Sequence, residues 1–80
     1  MDKKEIMEKL QEVFREVFDN DEIVISETTV AEDIEEWDSL AHIQLATRIQ
    51  EVFNITLGGK EIMSWEDVGE MVDAIQKKIG

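Results

Sequence analysis

Apolar residues return with the period of an α-helix in three separate stretches, and no proline interrupts any of them. In the first, Lys3 to Phe18, the residues Ile6, Leu10, Val13, Phe14 and Val17 share one face, with Asp2 and Glu5 placed as a capping pair. In the second, Ser39 to Phe53, an advance of about 100° per residue gathers Leu45, Ile49, Val52 and Phe53 into one stripe with His42 at its edge. Leu40, Gln44, Thr47, Arg48 and Glu51 fall on the opposite side, which leaves Leu40 as an apolar residue on a wet face. Asn54 ends this helix. In the third stretch Trp65, Val68, Met71, Val72, Ile75 and Ile79 supply the buried face, Ser64 is expected to cap it with Asp67 three positions on, and Lys77 and Lys78 complement the C-terminal dipole.

The segments between these stretches complete the expected architecture. Gly58-Gly59 breaks the chain, and Lys60 to Met63 has room for one or two turns of helix. Residues 19–38 are rich in acid and lack sustained periodicity, yet Ile23, Ile25, Val30, Ile34 and Trp37 are too apolar for a free linker. They read as a long loop packed on the core. A rival pairing of Ile23–Ile25 with Ile55–Leu57 as a two-stranded ribbon is marginal on its own. The expectation is an all-α four-helix bundle in one domain over residues 1–80, with three main helices, one short helix and a long loop between the first two.

Composition limits what such a bundle can do. Twenty acidic against eight basic residues give a formal charge of −12, a field that repels nucleic acid and anionic membrane surfaces and favours partners with basic docking patches. The longest apolar run, Ile23-Val24-Ile25, is too short to span a bilayer, so no stable membrane insertion is expected. There is no cysteine, hence no disulfide framework and no thiolate metal site; a cytoplasmic, monomeric protein is expected.

The candidate chemistry centres on Glu36-Trp37-Asp38-Ser39-Leu40. Ser39 falls at the first turn of the second helix, where unpaired backbone N–H groups and the helix dipole favour a phosphate ester. Ser39 or Asp38 acting simply as a helix cap explains the same residues. His42 lies one turn after Ser39, but a hydrolytic pair also needs an oriented third group and an oxyanion pocket, so no catalytic residue is expected. Asp19-Asn20-Asp21 begins like a calcium loop, yet Val24 and Val30 occupy the positions that require glycine and glutamate, and no metal site is expected. Trp37 and Trp65 without a third aromatic make a poor ligand cage; Trp65 is expected in the core and Trp37 beneath the loop.

Asp38-Ser39-Leu40, set between a long acidic loop and an amphipathic helix in an acidic 80-residue four-helix pattern, resembles the acyl carrier proteins over the whole chain. The resemblance implies that Ser39 receives 4'-phosphopantetheine from coenzyme A through a phosphopantetheinyl transferase, and that the arm's thiol carries an acyl group as a thioester. It implies that Asp38 helps bind magnesium during that transfer and that Leu40 contacts the arm. Partner contacts are expected at Leu40, Ile43, Gln44, Arg48, Glu51 and Ile62, Ile62 being also readable as a core residue. Acyl-loading and acyl-processing enzymes are the implied partners. The absence of any competing thiol suits such a role. Carriers of primary fatty-acid synthesis tend to be acidic along the second helix, whereas Glu51 is the only acid here, and they usually have a small residue where Trp37 stands. Both departures lean toward a free-standing carrier of a specialised pathway. A peptidyl or aminoacyl carrier, and an unmodified acidic helical interaction module, are the alternative functions.

Overall fold

The computed structural model describes residues 1–79, and its helices begin where capping side chains meet the apolar stripes. Asp2 accepts the Glu5 N–H at 2.9 Å and opens α1, Lys3–Val17. Asp38 does the same for Ala41 at 2.8 Å and opens α2, Ser39–Phe53. That helix closes at Asn54, which takes a left-handed conformation with φ 54°, one that asparagine tolerates better than most residues. A short α3, Gly59–Ser64, and a final α4, Val68–Ile79, complete the four, and no strand forms among the described residues. The ribbon between Ile23–Ile25 and Ile55–Leu57 is therefore not made. Ile23, Ile25 and Leu57 are buried individually against the helices.

The core is one cluster. Ile6, Leu10 and Phe14 of α1, Leu45 and Ile49 of α2, and Val68, Met71, Val72 and Ile75 of α4 are fully buried within it. Helix α1 packs against both α2 and α4. Charges fasten the periphery: Lys3 Nζ lies 3.1 Å from Asp73 Oδ1, and this carboxylate raises the Lys3 ammonium above the usual lysine value. Arg48 Nε lies 3.1 Å from Glu16 Oε1 without an aligned N–H, so it ties α2 to α1 by charge more than by a hydrogen bond.

The last helix starts later than its sequence suggests. Ser64 is not its cap; it is the final residue of α3, and its hydroxyl donates to the Glu61 carbonyl at 2.7 Å. The cap is Asp67, which accepts the Glu70 N–H at 2.9 Å, while the Glu70 carboxylate accepts the Glu66 N–H at 2.7 Å. Trp65 accordingly leaves the α4 stripe and sits half-buried in the connection between α3 and α4.

What selects the later start is the loop of residues 19–38. Val68 N–H donates to the Thr29 carbonyl at 2.9 Å and Gly69 N–H to the Glu27 carbonyl at 2.8 Å, so the loop satisfies the first unpaired donors of α4. At its other end the loop is held to α1, where Arg15 Nε donates to the Ile23 carbonyl at 2.8 Å and Gln11 accepts the Ile25 N–H at 3.1 Å. Ala31–Asp33 forms one 3-10 turn within it. Gly69 is needed for this docking, since a Cβ there would stand 2.9 Å from the Glu27 carbonyl oxygen. Alanine gains at most about 1 kcal/mol of helix propensity over glycine, and displacing the docked backbone costs more. Gly69→Ala is expected to destabilise the fold by about 1 kcal/mol in urea unfolding. Unchanged or higher stability would mean that the loop yields freely at this point.

Candidate attachment site

The structure resolves which of Asp38 and Ser39 caps α2, a choice the sequence alone leaves open. The Asp38 side chain is the N-cap of α2, and its carbonyl accepts the first helical bond, from His42 N–H at 2.9 Å. Ser39 is thereby released from capping. Its side chain is exposed on the first residue of the helix, and among the described residues its hydroxyl makes no hydrogen bond. The backbone N–H groups of Ser39 and Leu40 are also without partners among those residues, which leaves donors and the positive end of the dipole beside the hydroxyl. A phosphodiester oxygen at Ser39 Oγ suits this setting.

An open groove of about 320 Å³ runs from Ser39 and is bordered by Trp37, Asp38, His42, Met63 and Trp65. Its floor is an aromatic column. Trp37 stacks on His42 with ring centroids 5.9 Å apart and planes 18° from parallel, and Trp65 meets His42 edge-on at 5.8 Å. Behind the column, Trp37 meets the buried ring of Phe14 at 5.2 Å in a T-shaped contact. Trp37 is thus half-buried and packs against the core, with the groove on its other side.

His42 is the centre of this arrangement. The Trp37 indole N–H donates to His42 Nδ1 at 3.1 Å, and His42 Nε2 lies 2.7 Å from the Ile62 carbonyl oxygen. An indole can only donate and a carbonyl can only accept, so Nδ1 carries the lone pair and Nε2 the proton. These partners fix the tautomer, and the ring links the end of the loop, α2 and α3. The sequence pattern places His42 at the edge of the apolar stripe, but it contains no sign of these partners, one of which is a carbonyl twenty residues away.

The remaining sequence-expected positions are spread over neighbouring faces. Leu40 is 65% exposed and Ile43 53% exposed, and Met63 on α3 adds a third exposed apolar side chain, one the sequence pattern did not single out. Gln44 and Glu51 are exposed along α2. Arg48 is half-buried and engaged with Glu16, and Ile62 is half-buried against the core, contributing its carbonyl to His42. Of the expected contacts, Leu40 lies beside Ser39 on α2, with Ile43 one turn further on.

A family model described as a phosphopantetheine attachment site matches residues 8–75. The chain belongs to that family. It is also similar to a holo acyl carrier protein from Geobacter metallireducens whose structure was determined by solution NMR. The two are 36% identical, the alignment covers 91% of this chain and 84% of that one, and the TM-score is 0.85. No curated protein matches the chain. The four-helix architecture is that of the acyl carrier proteins, and the protein is a carrier, not a catalyst. Its cofactor is a covalently attached phosphopantetheine. Carriers of this kind interact with a phosphopantetheinyl transferase and with acyl-processing enzymes. No helix among the described residues is long and apolar enough to cross a membrane.

Proposed function

We propose that this carrier holds acyl groups as thioesters on a 4'-phosphopantetheine arm attached to Ser39 Oγ and presents them to partner enzymes. The observation that carries the reading is the release of Ser39 from capping by Asp38, which leaves an exposed hydroxyl at a helix N-terminus. When attached, the arm supplies the thiol that the polypeptide itself lacks. Asp38 keeps one carboxylate oxygen clear of the Ala41 N–H, and that oxygen is the one we assign to magnesium during transfer. The 36% identity to an acyl carrier protein supports acyl over peptidyl cargo. The test is incubation with coenzyme A and a broad phosphopantetheinyl transferase, followed by fragmentation mass spectrometry. The added mass is expected on the peptide containing Ser39. No mass gain, or a gain on another residue, overturns the assignment.

Partner recognition is assigned to two surfaces. Basic docking patches meet the acidic loop, where Glu32, Asp33, Glu35 and Glu36 are all exposed. Leu40 and Ile43 meet apolar side chains, with Gln44 and Glu51 at the margin; Arg48 and Ile62, held by Glu16 and by the core, contribute less. Leu40→Ala is expected to slow modification about tenfold through lost apolar contact with the transferase, while stability stays within about 0.5 kcal/mol. Transfer kinetics and a thermal melt of the same sample read both effects. A large fall in stability would place Leu40 in the core.

A further inference from the structure

The longest apolar run of the chain, Ile23-Val24-Ile25, takes no part in the groove at Ser39. Exposure alternates along it: Glu22 is exposed, Ile23 buried, Val24 exposed, Ile25 buried and Ser26 exposed, which is the period of two of an extended strand. In such a strand the C=O of one residue and the N–H of the residue two further on leave by one edge, and the residue between them presents its own N–H and C=O on the other. Helix α1 occupies the first edge. Arg15 Nε donates to the Ile23 carbonyl at 2.8 Å and Gln11 Oε1 accepts the Ile25 N–H at 3.1 Å, so two side chains one helical turn apart bond as a single residue of a neighbouring strand would. The second edge is open. Val24 N–H and C=O make no hydrogen bond among the described residues, and the Val24 side chain is 75% exposed, more than any other large apolar one there. This open edge is short, because Asn20 Oδ1 takes the Glu22 N–H at 3.0 Å and Thr29 Oγ1 takes the Ser26 N–H at 2.8 Å. One rung of a β-ladder is left, pinned on one side and facing solvent on the other.

We propose that this rung is a docking site for an extended, basic segment of a partner protein, which adds to the chain as a strand through Val24. Charge selects that occupant. Asp19, Asp21 and Glu22 are exposed on the approach to Val24, whereas the Arg15 guanidinium is engaged on the α1 edge. A second copy of this chain would bring the same acids to the same rung and is repelled. The partner residue opposite Val24 is apolar and exchanges both backbone bonds with it, and a basic residue two positions along meets Glu22. None of the residues bordering the groove at Ser39 belongs to this segment, so the two sites serve different contacts, and the docking is independent of what Ser39 carries.

The probe is the peptide Lys-Thr-Val-Thr-Lys, acetylated and amidated at its ends and titrated to millimolar concentration into the nitrogen-15-labelled full chain. Its control is the same peptide N-methylated at valine, which keeps every side chain and charge and removes the one N–H that faces Val24. Chemical-shift changes are expected to concentrate at Glu22 to Ser26, with slower hydrogen exchange at the Val24 amide. The methylated peptide is expected to bind at least about tenfold more weakly. Val24→Pro removes the same bond from the other side; its fold should survive, since that N–H makes no bond within the chain, and peptide binding should fall to the same extent. If this variant does not fold, the two peptides on the parent chain decide alone. Equal affinity of the two peptides, or shifts spread evenly over Glu32 to Glu36, means attraction by charge only and overturns the proposal, as does an absence of binding. A Val24 amide signal that moves with protein concentration in the absence of peptide gives the rung to a second copy and overturns it too.

Discussion

With Ser39 replaced by alanine, the chain treated with coenzyme A and transferase is expected to keep the mass of the bare polypeptide. The fold should hardly notice, because the hydroxyl makes no hydrogen bond among the described residues and the cap belongs to Asp38. Stability is expected within about 0.5 kcal/mol of the parent. The neighbouring position provides the contrast. Asp38→Ala removes the bond to Ala41 N–H and should cost about 1 kcal/mol, whereas asparagine caps almost as well and should cost only a few tenths. Asp38→Asn nevertheless loses the charge assigned to magnesium, and a slowing of transfer of at least about tenfold is expected. Equal transfer rates for Asp38→Asn and the parent would leave Asp38 with capping alone. Residual modification of Ser39→Ala at the parental rate would move the attachment site elsewhere.

The largest change in stability outside the core is expected at His42. Removing its ring leaves the Trp37 indole N–H and the Ile62 carbonyl facing space and takes away the surface on which both tryptophans rest. Buried groups left unpaired cost about 1–3 kcal/mol each, and both groups here are partly wetted, so a loss of about 2 kcal/mol is expected for His42→Ala, or roughly 10 °C in melting temperature. Tryptophan fluorescence should shift to the red as both indoles gain water. Nitrogen-15 chemical shifts of the parent check the geometry directly: Nδ1 should give the signal of an unprotonated ring nitrogen and Nε2 that of a protonated one. The opposite tautomer would contradict the bond from Trp37.

Much of this molecule is legible in its residue pattern, and the limits have a common physical cause. Helices α1 and α2 were readable because their stripes, their aspartate caps and Asn54 are all local signals, as was the exposure of Leu40. The start of α4 was not, because Ser64-x-x-Asp67 and Asp67-x-x-Glu70 are both plausible caps and the choice is made by Thr29 and Glu27 carbonyls from a distant loop. Trp65 was misplaced for the same reason. At the site, sequence pointed to Ser39, Asp38 and Leu40 but left open which of Asp38 and Ser39 caps α2, and the geometry gives the cap to Asp38 and leaves the Ser39 side chain exposed. His42 read as an edge residue because a helical wheel sees its own helix and not the indole and carbonyl that complete it.

The placement of charge has a kinetic consequence. Helix α2 carries one arginine and one glutamate, and α3 one lysine and one glutamate, so the helices that border the groove have no formal net charge, while the loop before Ser39 is strongly acidic. Under the proposed docking, long-range attraction to a basic enzyme would act on the loop, and short-range apolar contact would act at Leu40 and Ile43. Raising the ionic strength should slow the arrival of a partner and leave the lifetime of the docked pair nearly unchanged. Under that docking, encounter and grip would be set by different segments of one small chain, so that salt would tune one and leave the other.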